Sequence, residues 1–168
     1  MTTRHYQLPD GNEADWDIYG PERSVATLAL TPSQDVVLAR QFRPGPALVL
    51  DEMPGGVVED GEDALEAAAR ELLEETGYAG RCEVAGAAWL AAGSRTRRFS
   101  VVTLDAEPVA EPTTDPGGFC EAVVVPLGEF RHQLRTGMLT DADLGYLALG
   151  SSRFKTGCLD RPVSMLSC

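Results

Sequence analysis

The sequence has no long apolar run and few cysteines, and each absence narrows the class of protein. No stretch approaches the roughly 18 apolar residues of a membrane-spanning helix, and residues 1–6 lack the apolar segment of a signal peptide. The cysteines are widely scattered and show no short paired spacing of a zinc or thioredoxin-type site; they are Cys82, Cys120, Cys158 and Cys168. We therefore expect a cytoplasmic protein with reduced thiols.

Basic residues are also scarce. The chain has 14 Lys and Arg against 26 Asp and Glu, a formal net charge of −12. Nucleic acid and anionic lipid both call for a basic surface, so we expect neither as a partner. A small phosphorylated ligand is compatible with this charge, because metal ions and a few local arginines can dominate the field in a cleft. The 168 residues, 43% of them hydrophobic, fit one domain over residues 1–168.

The stretch from Glu52 to Tyr78 joins a glycine-rich turn to a predicted helix. Good helix formers run from about Glu62 to Thr76, and Gly77 supplies the stop. Residues at three- and four-residue steps form a stripe that can lie on a sheet. Its members are Leu65, Ala68, Ala69, Leu72 and Thr76.

Three carboxylates, those of Glu71, Glu74 and Glu75, fall on a neighbouring stripe of the same helix. Like charges at this spacing destabilise an isolated helix by a few tenths of a kcal/mol per pair. Mg²⁺ or Mn²⁺ would remove the conflict, since hard cations favour oxygen ligands and keep positions open for water and phosphate. The alternative is a solvated acidic face with Arg70 paired to Glu66 or Glu74.

The spacing of the whole stretch is specific. Gly56 is followed after five residues by Glu62 and after seven more by Arg70-Glu71-Leu72; Glu74-Glu75 and Gly77-Tyr78 then each follow after one residue. This pattern resembles the box of the Nudix hydrolases at every specified position. The resemblance implies an α/β (α+β) fold of the Nudix type, an α/β/α sandwich with a mixed sheet between helices.

The chemistry expected of this box is hydrolysis of a phosphoanhydride. Cations held by Glu71, Glu74 and Glu75 would neutralise a diphosphate and lower the pKa of a bound water. The resemblance adds a backbone ligand, the carbonyl of Gly55, since only a small residue lets the backbone approach so closely.

Two further roles rest on the resemblance. It implies that Arg70 holds the glutamates in place, with Glu62 supporting it from the first helical turn. A general base is expected from a late loop, where Glu121 and Asp115 are the candidates. For each of these two, a surface carboxylate on a mobile loop is an equal alternative.

The residues before the box resemble the ADP-ribose pyrophosphatase branch of the family. The matching runs are Arg-Gln-Phe-Arg at 40–43 and Asp-Glu-Met-Pro-Gly-Gly at 51–56. In that branch the arginine matching Arg43 lies near the substrate, and we expect Arg43 and Glu52 in the substrate site. The chain departs from the branch at 91–93, where it has Ala-Ala-Gly instead of the frequent Ser-Pro-Gly.

Three arginines, Arg95, Arg97 and Arg98, precede a predicted strand over Phe99–Leu104. Three arginines in four residues are unusual in so acidic a chain, and a guanidinium matches phosphate oxygens bidentately. We expect them to contribute to substrate binding. The alternative is a solvent-facing strand start paired with acidic neighbours.

The remaining pattern places other elements around the box. Short strands are predicted at Arg4–Gln7 and Asp15–Tyr19, and a hairpin at 24–30 and 35–42 follows. The resemblance implies that residues 1–22 form an arm for a homodimer. Further predictions are a strand at 83–92, a loop at 107–118, a strand at 119–125, a helix at 130–136, and a helix capped at 140–143 that ends near 150. The tail from 151 to 168 is uninformative.

Three functions compete at this point. The first is metal-dependent hydrolysis of ADP-ribose to AMP and ribose 5-phosphate. The second is the same chemistry on another small nucleotide, such as a sugar nucleotide, a nucleoside triphosphate or a dinucleoside polyphosphate. The third is a non-catalytic nucleotide sensor, but such modules usually lose box glutamates and this chain retains them.

Overall fold

The N-terminal residues form a hairpin of their own. A computed structural model describes residues 1–113 and 120–151. In it, β1 (Thr2–Gln7) and β2 (Glu13–Ile18) pair antiparallel and make a separate two-stranded sheet. Trp16 and Tyr6 on this hairpin are exposed. Both strands begin two residues earlier than predicted, and the role of this hairpin as a dimer arm stays a prediction.

A seven-stranded mixed sheet forms the centre of the fold. β3 and β8 pair in parallel, and the other pairs are antiparallel. The mixed sheet predicted from the sequence is therefore confirmed. Its strands are β3 (Arg23–Leu30), β4 (Asp35–Arg43), β5 (Leu48–Glu52), β6 (Gly55–Val57), β7 (Tyr78–Trp89), β8 (Arg97–Pro108) and β9 (Cys120–Pro126).

The first two strands of this sheet separate beyond their connecting turn. β3 and β4 pair only at Ala29–Val37 and Leu30–Val36. Farther from the turn, β6 pairs with β3 and β5 pairs with β4. Because β8 and β9 occupy the outer edges of β3 and β4, the segment of residues 48–57 fills the opening between them. This opening is where the glycine turn lies.

Helices cover both faces of the sheet. Alternate residues of β3 point to opposite faces: Val25 shares a buried cluster with Ala67 and Ala68 of α1 (Ala64–Thr76). Leu28 shares another with Phe130 of α2 (Leu127–Thr136) and with residues of α3 (Ala142–Leu149). The α/β/α arrangement is therefore confirmed. In the described part of the chain, no helix is long and apolar enough to cross a membrane.

The helix of the box begins later than predicted. Asp63 is its N-cap, and the Asp63 carboxylate accepts the backbone N–H groups of Leu65 and Glu66. The Glu66 side chain in turn accepts the backbone N–H of Asp63, which completes a capping box. Glu62 therefore precedes the helix and is not part of its first turn. The buried stripe also differs from the predicted one, since Ala67 is buried, Leu65 is half-buried and Ala69 is exposed.

Three other boundaries differ from prediction. β7 begins at Tyr78, directly after the helix, and β8 continues to Pro108. Two register shifts in their ladder, between Ala79 and Arg81 and between Val84 and Gly86, break the alternation that marks a strand in sequence. The helix expected at 130 begins at Leu127.

Candidate active site

The glycine turn packs between β3 and the carboxylate face of α1. A Cβ added to Gly55 would lie 2.2 Å from the carbonyl oxygen of Val25, and one added to Gly56 would lie 2.2 Å from Oε1 of Glu71. The backbone N–H of Gly55 donates to Oε2 of Glu75 at 3.0 Å. Close contact with the backbone of β3 thus requires glycine at position 55, whereas a side chain at position 56 would displace the carboxylate of Glu71. The turn touches two of the three box glutamates.

Arg70 connects the box residues to one another. Its Nε and Nη2 donate to the two carboxylate oxygens of Glu62, at 3.0 and 3.1 Å. Its Nη1 donates to Glu71 at 2.9 Å and to Glu74 at 3.1 Å, and Nη2 also donates to the carbonyl of Val57. The hydrogen bonds from Arg70 lower the pKa of the Glu62 carboxyl. The structure thus brings Arg70 and Glu62 together with two of the predicted metal ligands.

Glu75 and Glu71 lie in a poorly solvated region. Burial raises the pKa of Glu75 to about 7, while the hydrogen bond from Gly55 acts in the opposite direction. Burial also raises the pKa of Glu71, against the hydrogen bond from Arg70. Gln41 donates to Oε1 of Glu75 at 3.3 Å. The negative charge of Glu71 makes ionisation of Glu75 less favourable. A divalent cation bound between the two carboxylates would remove this repulsion.

The three box glutamates are not preorganised as a metal-binding site. Over residues 1–113 and 120–151, no group of three or more His, Cys, Asp or Glu side chains is placed to hold a metal ion. Glu71 and Glu74 bond to Arg70, whereas Glu75 bonds to Gly55 and Gln41. An ion at this position would therefore compete with Arg70 for two of the carboxylates.

Arg43 and Glu52, both predicted near the substrate, pair with each other. Glu52 is completely buried, and one of its carboxylate oxygens accepts a hydrogen bond from Nε of Arg43. Its other oxygen accepts the backbone N–H of Thr140 at 2.9 Å and the Thr140 hydroxyl. Both Glu52 oxygens are thus used within the protein. Glu52 holds Arg43 and the loop between α2 and α3 in place.

A cavity of about 360 Å³ opens beside the glycine turn. Its lining includes the two arginines Arg43 and Arg98 together with Asp141. Arg98 is nearly buried and donates to Asp141 and, at 2.9 and 3.0 Å, to Asp143. Burial raises the pKa of Asp141 to about 6, and the charge of Arg98 opposes this. Two of the predicted substrate residues therefore share one cavity.

The other two arginines of the 95–98 run lie elsewhere. Arg97 stacks on the ring of Trp89 at 5.2 Å from the ring centroid. Arg95 donates to the carbonyl of Gly20 at 2.8 Å and lines a second cavity of about 500 Å³ beside the N-terminal hairpin. Alternation along β8 and its preceding turn separates these side chains from Arg98.

The structure does not bring Glu121 to the box glutamates. In the ladder between β4 and β9, Glu121 lies opposite Arg40. The neighbouring pair of residues, Gln41 and Cys120, both donate hydrogen bonds to Glu75. Since neighbouring residues of a strand point to opposite faces, Glu121 lies on the other face of the sheet. Asp115 lies outside the described residues, and its role as a general base stays a prediction.

Sequence reasoning missed three residues of this site. Thr140 and Asp141 fit a helix cap from their sequence, and only their contacts with Glu52 and Arg98 place them at the cavity. Gln41 belongs to the Arg-Gln-Phe-Arg run that resembles the ADP-ribose branch, and this run could have marked it as a site residue. Its contact with Glu75 is visible only in the structure.

Comparison with known proteins points to one family. The sequence model of the family described as NUDIX domain matches residues 20–144. An ADP-ribose pyrophosphatase of Saccharomyces cerevisiae is 38% identical over 88 residues, which are 45% of this chain and 38% of the yeast protein. An ADP-sugar pyrophosphatase of Mus musculus is 37% identical over 106 residues, 59% of this chain and 49% of the mouse protein. The matches thus span less than half of these two relatives.

The fold also has solved counterparts. The crystal structure of an ADP compounds hydrolase superposes with a TM-score of 0.73 and covers 88% of this chain and 80% of its own. The two sequences are 19% identical, so this likeness speaks for the fold alone.

Proposed function

Since the chain belongs to the NUDIX family, we propose that it is a metal-dependent pyrophosphohydrolase that cleaves ADP-ribose to AMP and ribose 5-phosphate. One observation carries this proposal. Glu71 and Glu75 press against the Gly55–Gly56 turn, and this turn lines a cavity that also holds Arg43. The names of the yeast and mouse relatives, an ADP-ribose and an ADP-sugar pyrophosphatase, support this choice of substrate.

The residues of this site fit a divalent cation by their chemistry. Oxygen ligands suit Mg²⁺ and Mn²⁺, and the site offers the carboxylates of Glu71, Glu74 and Glu75 and the carbonyl of Gly55. A Cβ at Gly56 would fill the space that Glu71 uses. Nudix hydrolases generally use divalent metal ions, and we propose Mg²⁺ here. The ion would supply charge neutralisation of the diphosphate and a lowered pKa of water.

The protein's own groups would prepare the site. Gly55 and Gln41 orient Glu75 through hydrogen bonds to its two oxygens. Arg70 holds Glu71 and Glu74 against α1 and is itself held by Glu62. These hydrogen bonds keep the three acidic side chains beside the glycine turn before substrate arrives, and binding of an ion would exchange the contacts of Glu71 and Glu74 with Arg70 for contacts with the cation.

The substrate would be oriented by the cavity beside the turn. Arg43 is fixed by the buried Glu52, and its charge partly opposes the rise that burial causes in the pKa of Glu75 and of Asp141. A guanidinium in this position can hold a phosphate oxygen next to the acidic groups. The wider choice of ADP-sugars is the second candidate, because the mouse relative is an ADP-sugar pyrophosphatase.

The test is product identification over a substrate panel. The purified chain is incubated with ADP-ribose, ADP-glucose, ATP and diadenosine polyphosphates, with Mg²⁺, with Mn²⁺ or with a chelator, and the products are separated by chromatography. We expect AMP and ribose 5-phosphate from ADP-ribose only when metal is present. No turnover of any of these compounds with either metal would refute the proposal.

A pair of variants shows whether the box is responsible. Glu75→Gln should abolish metal-dependent turnover, because it removes a carboxylate that contacts the glycine turn. Glu66→Gln is the matched control, since it removes one charge from an exposed position of the same helix and glutamine also serves in a capping box. Equal activity of the two variants would contradict the assignment.

We further propose a homodimer that forms through β1 and β2. This hairpin stands apart from the main sheet, and its aromatic residues Tyr6 and Trp16 are exposed. Light scattering at micromolar concentration should give twice the chain mass of 18.0 kDa. A single-chain mass at that concentration would remove this proposal.

A further inference from the structure

The charges around the cavity beside the glycine turn are already balanced within the protein. Arg43 is paired with Glu52, and Arg98 is paired with both Asp141 and Asp143. Two guanidinium groups thus form ion pairs with three carboxylates, so the arginines carry no excess positive charge. A second phosphate placed deep in this cavity would meet the charge of Asp141 as well as those of the arginines. The cavity is therefore better suited to a neutral, polar group than to another anion.

The polar groups of the lining match a ligand that carries hydroxyls. One carboxylate oxygen of Asp141 accepts Arg98, while the other has no hydrogen-bond donor among the described residues. Two residues that carry hydroxyls, Ser24 and Thr140, belong to the same lining. The Thr140 hydroxyl donates to Glu52, so its oxygen is left to accept. Carboxylate and hydroxyl oxygens of this kind accept the O–H groups of a sugar.

The position of the cavity relative to the box also matters. Gly55 and Gly56 line the cavity and at the same time contact Glu75 and Glu71. A diphosphate held at the glutamates would therefore have its attached group next to this cavity. The volume of about 360 Å³ is in the range of small-molecule sites.

We propose that this cavity is the sugar subsite of the enzyme, and that the carboxylate of Asp141 accepts a hydrogen bond from a hydroxyl of the sugar on the far phosphate. This rests on the proposed function. Asp141 then determines specificity: it favours substrates in which the diphosphate carries a polyhydroxyl group over those in which it carries a small alkyl group. A site that pairs with a substrate hydroxyl discriminates strongly against an analogue that lacks it.

The experiment compares two substrates that share the ADP half. ADP-ribose carries the sugar, and the methyl ester of ADP on its terminal phosphate carries none. For the wild-type chain we expect kcat/KM to be higher for ADP-ribose. Asp141→Asn should lower kcat/KM for ADP-ribose about 10- to 100-fold, mainly through KM, while the value for methyl ADP changes less than about twofold.

Asp143→Asn is the matched control. It removes a carboxylate from the same guanidinium, but Asp143 is half exposed and is not part of the cavity lining. We expect the ratio of the two kcat/KM values to stay at the wild-type level in this variant. If Asp141 served only to hold Arg98, both variants would reduce turnover of the two substrates alike, and that result would overturn the proposal.

Failure of the subsite is distinguishable from failure of the function. A wild-type chain that cleaves methyl ADP as well as ADP-ribose refutes the sugar subsite and leaves the pyrophosphohydrolase intact. A chain that cleaves neither refutes the function, and calorimetric binding of the two compounds to wild type and Asp141→Asn then decides the subsite. Tighter binding of ADP-ribose that depends on Asp141 supports it; equal binding of both compounds overturns it.

Discussion

Replacing Glu75 by glutamine should make the metal-free protein more stable at neutral and alkaline pH. Glu75 is mostly buried beside Glu71, and burial raises its pKa from 4.5 to about 7. Ionised Glu75 therefore destabilises the folded chain, because the unfolded chain ionises at lower pH. Glutamine keeps an oxygen that can accept the N–H of Gly55 and carries no charge.

The magnitude follows from the two pKa values. Because the folded-state pKa lies above the unfolded one, the folded chain binds the proton more tightly. This contribution to stability is complete below pH 4.5 and is lost as pH rises to about 7. The full difference corresponds to about 3 kcal/mol at 1.36 kcal/mol per pH unit. Between pH 5.5 and 8.5 the remaining change is about 2 kcal/mol.

The assay is urea unfolding of wild type and Glu75→Gln in chelator between pH 5.5 and 8.5. The lower limit stays above the pI of about 4.5, where the net charge vanishes. We expect the free energy of unfolding of the variant to exceed that of wild type by about 2 kcal/mol more at pH 8.5 than at pH 5.5. Mg²⁺ at pH 7.5 should stabilise wild type and should not stabilise the variant.

Comparison of variant with wild type cancels the pH dependence of the carboxylates that do not interact with Glu75. Glu66→Gln, at an exposed position of the same helix, should differ from wild type by less than about 0.5 kcal/mol at every pH. Wild type and Glu75→Gln curves that run parallel between pH 5.5 and 8.5 would refute the reasoning, since Glu75 would then ionise alike in both states.

Three glycine and glutamate substitutions test other parts of the site. Gly56→Ala should fold, because its Cβ meets only the end of the Glu71 side chain, but displacement of that carboxylate should lower kcat about 100-fold in a steady-state assay. Glu52→Gln should cost about 2 kcal/mol in urea unfolding, since it leaves Arg43 without its buried partner. Gly77→Ala should lower Tm, with a cost of at least about 1 kcal/mol, because this residue has φ 74° and its Cβ would lie 2.0 Å from a backbone carbonyl oxygen.

Much of the fold follows from patterns that operate over short distances. The box helix with its glycine stop and the hairpin of β3 and β4 could be predicted because helix formers, turn residues and alternation act over a few neighbours. The α/β/α layers were implied by the resemblance to the Nudix box. The start of β7 could not be predicted, because the register shifts between Ala79 and Arg81 and between Val84 and Gly86 disrupt the period of two. The helix was predicted to begin at about Glu62, whereas the capping box of Asp63 and Glu66 makes it begin at Ala64.

The amino-acid sequence by itself determined which charged groups and glycines come together in the box, because the glutamates, Arg70 and the two glycines lie within one turn and one helix whose geometry is local. Only the tertiary structure decided what surrounds that chemistry. Glu52 meets Thr140 across 88 residues and Arg98 meets Asp141 across 43, and pairings of that separation depend on how the strands order themselves in the sheet. The same ordering turned Glu121 to the opposite face and left Arg95 and Arg97 outside the cavity that Arg98 lines.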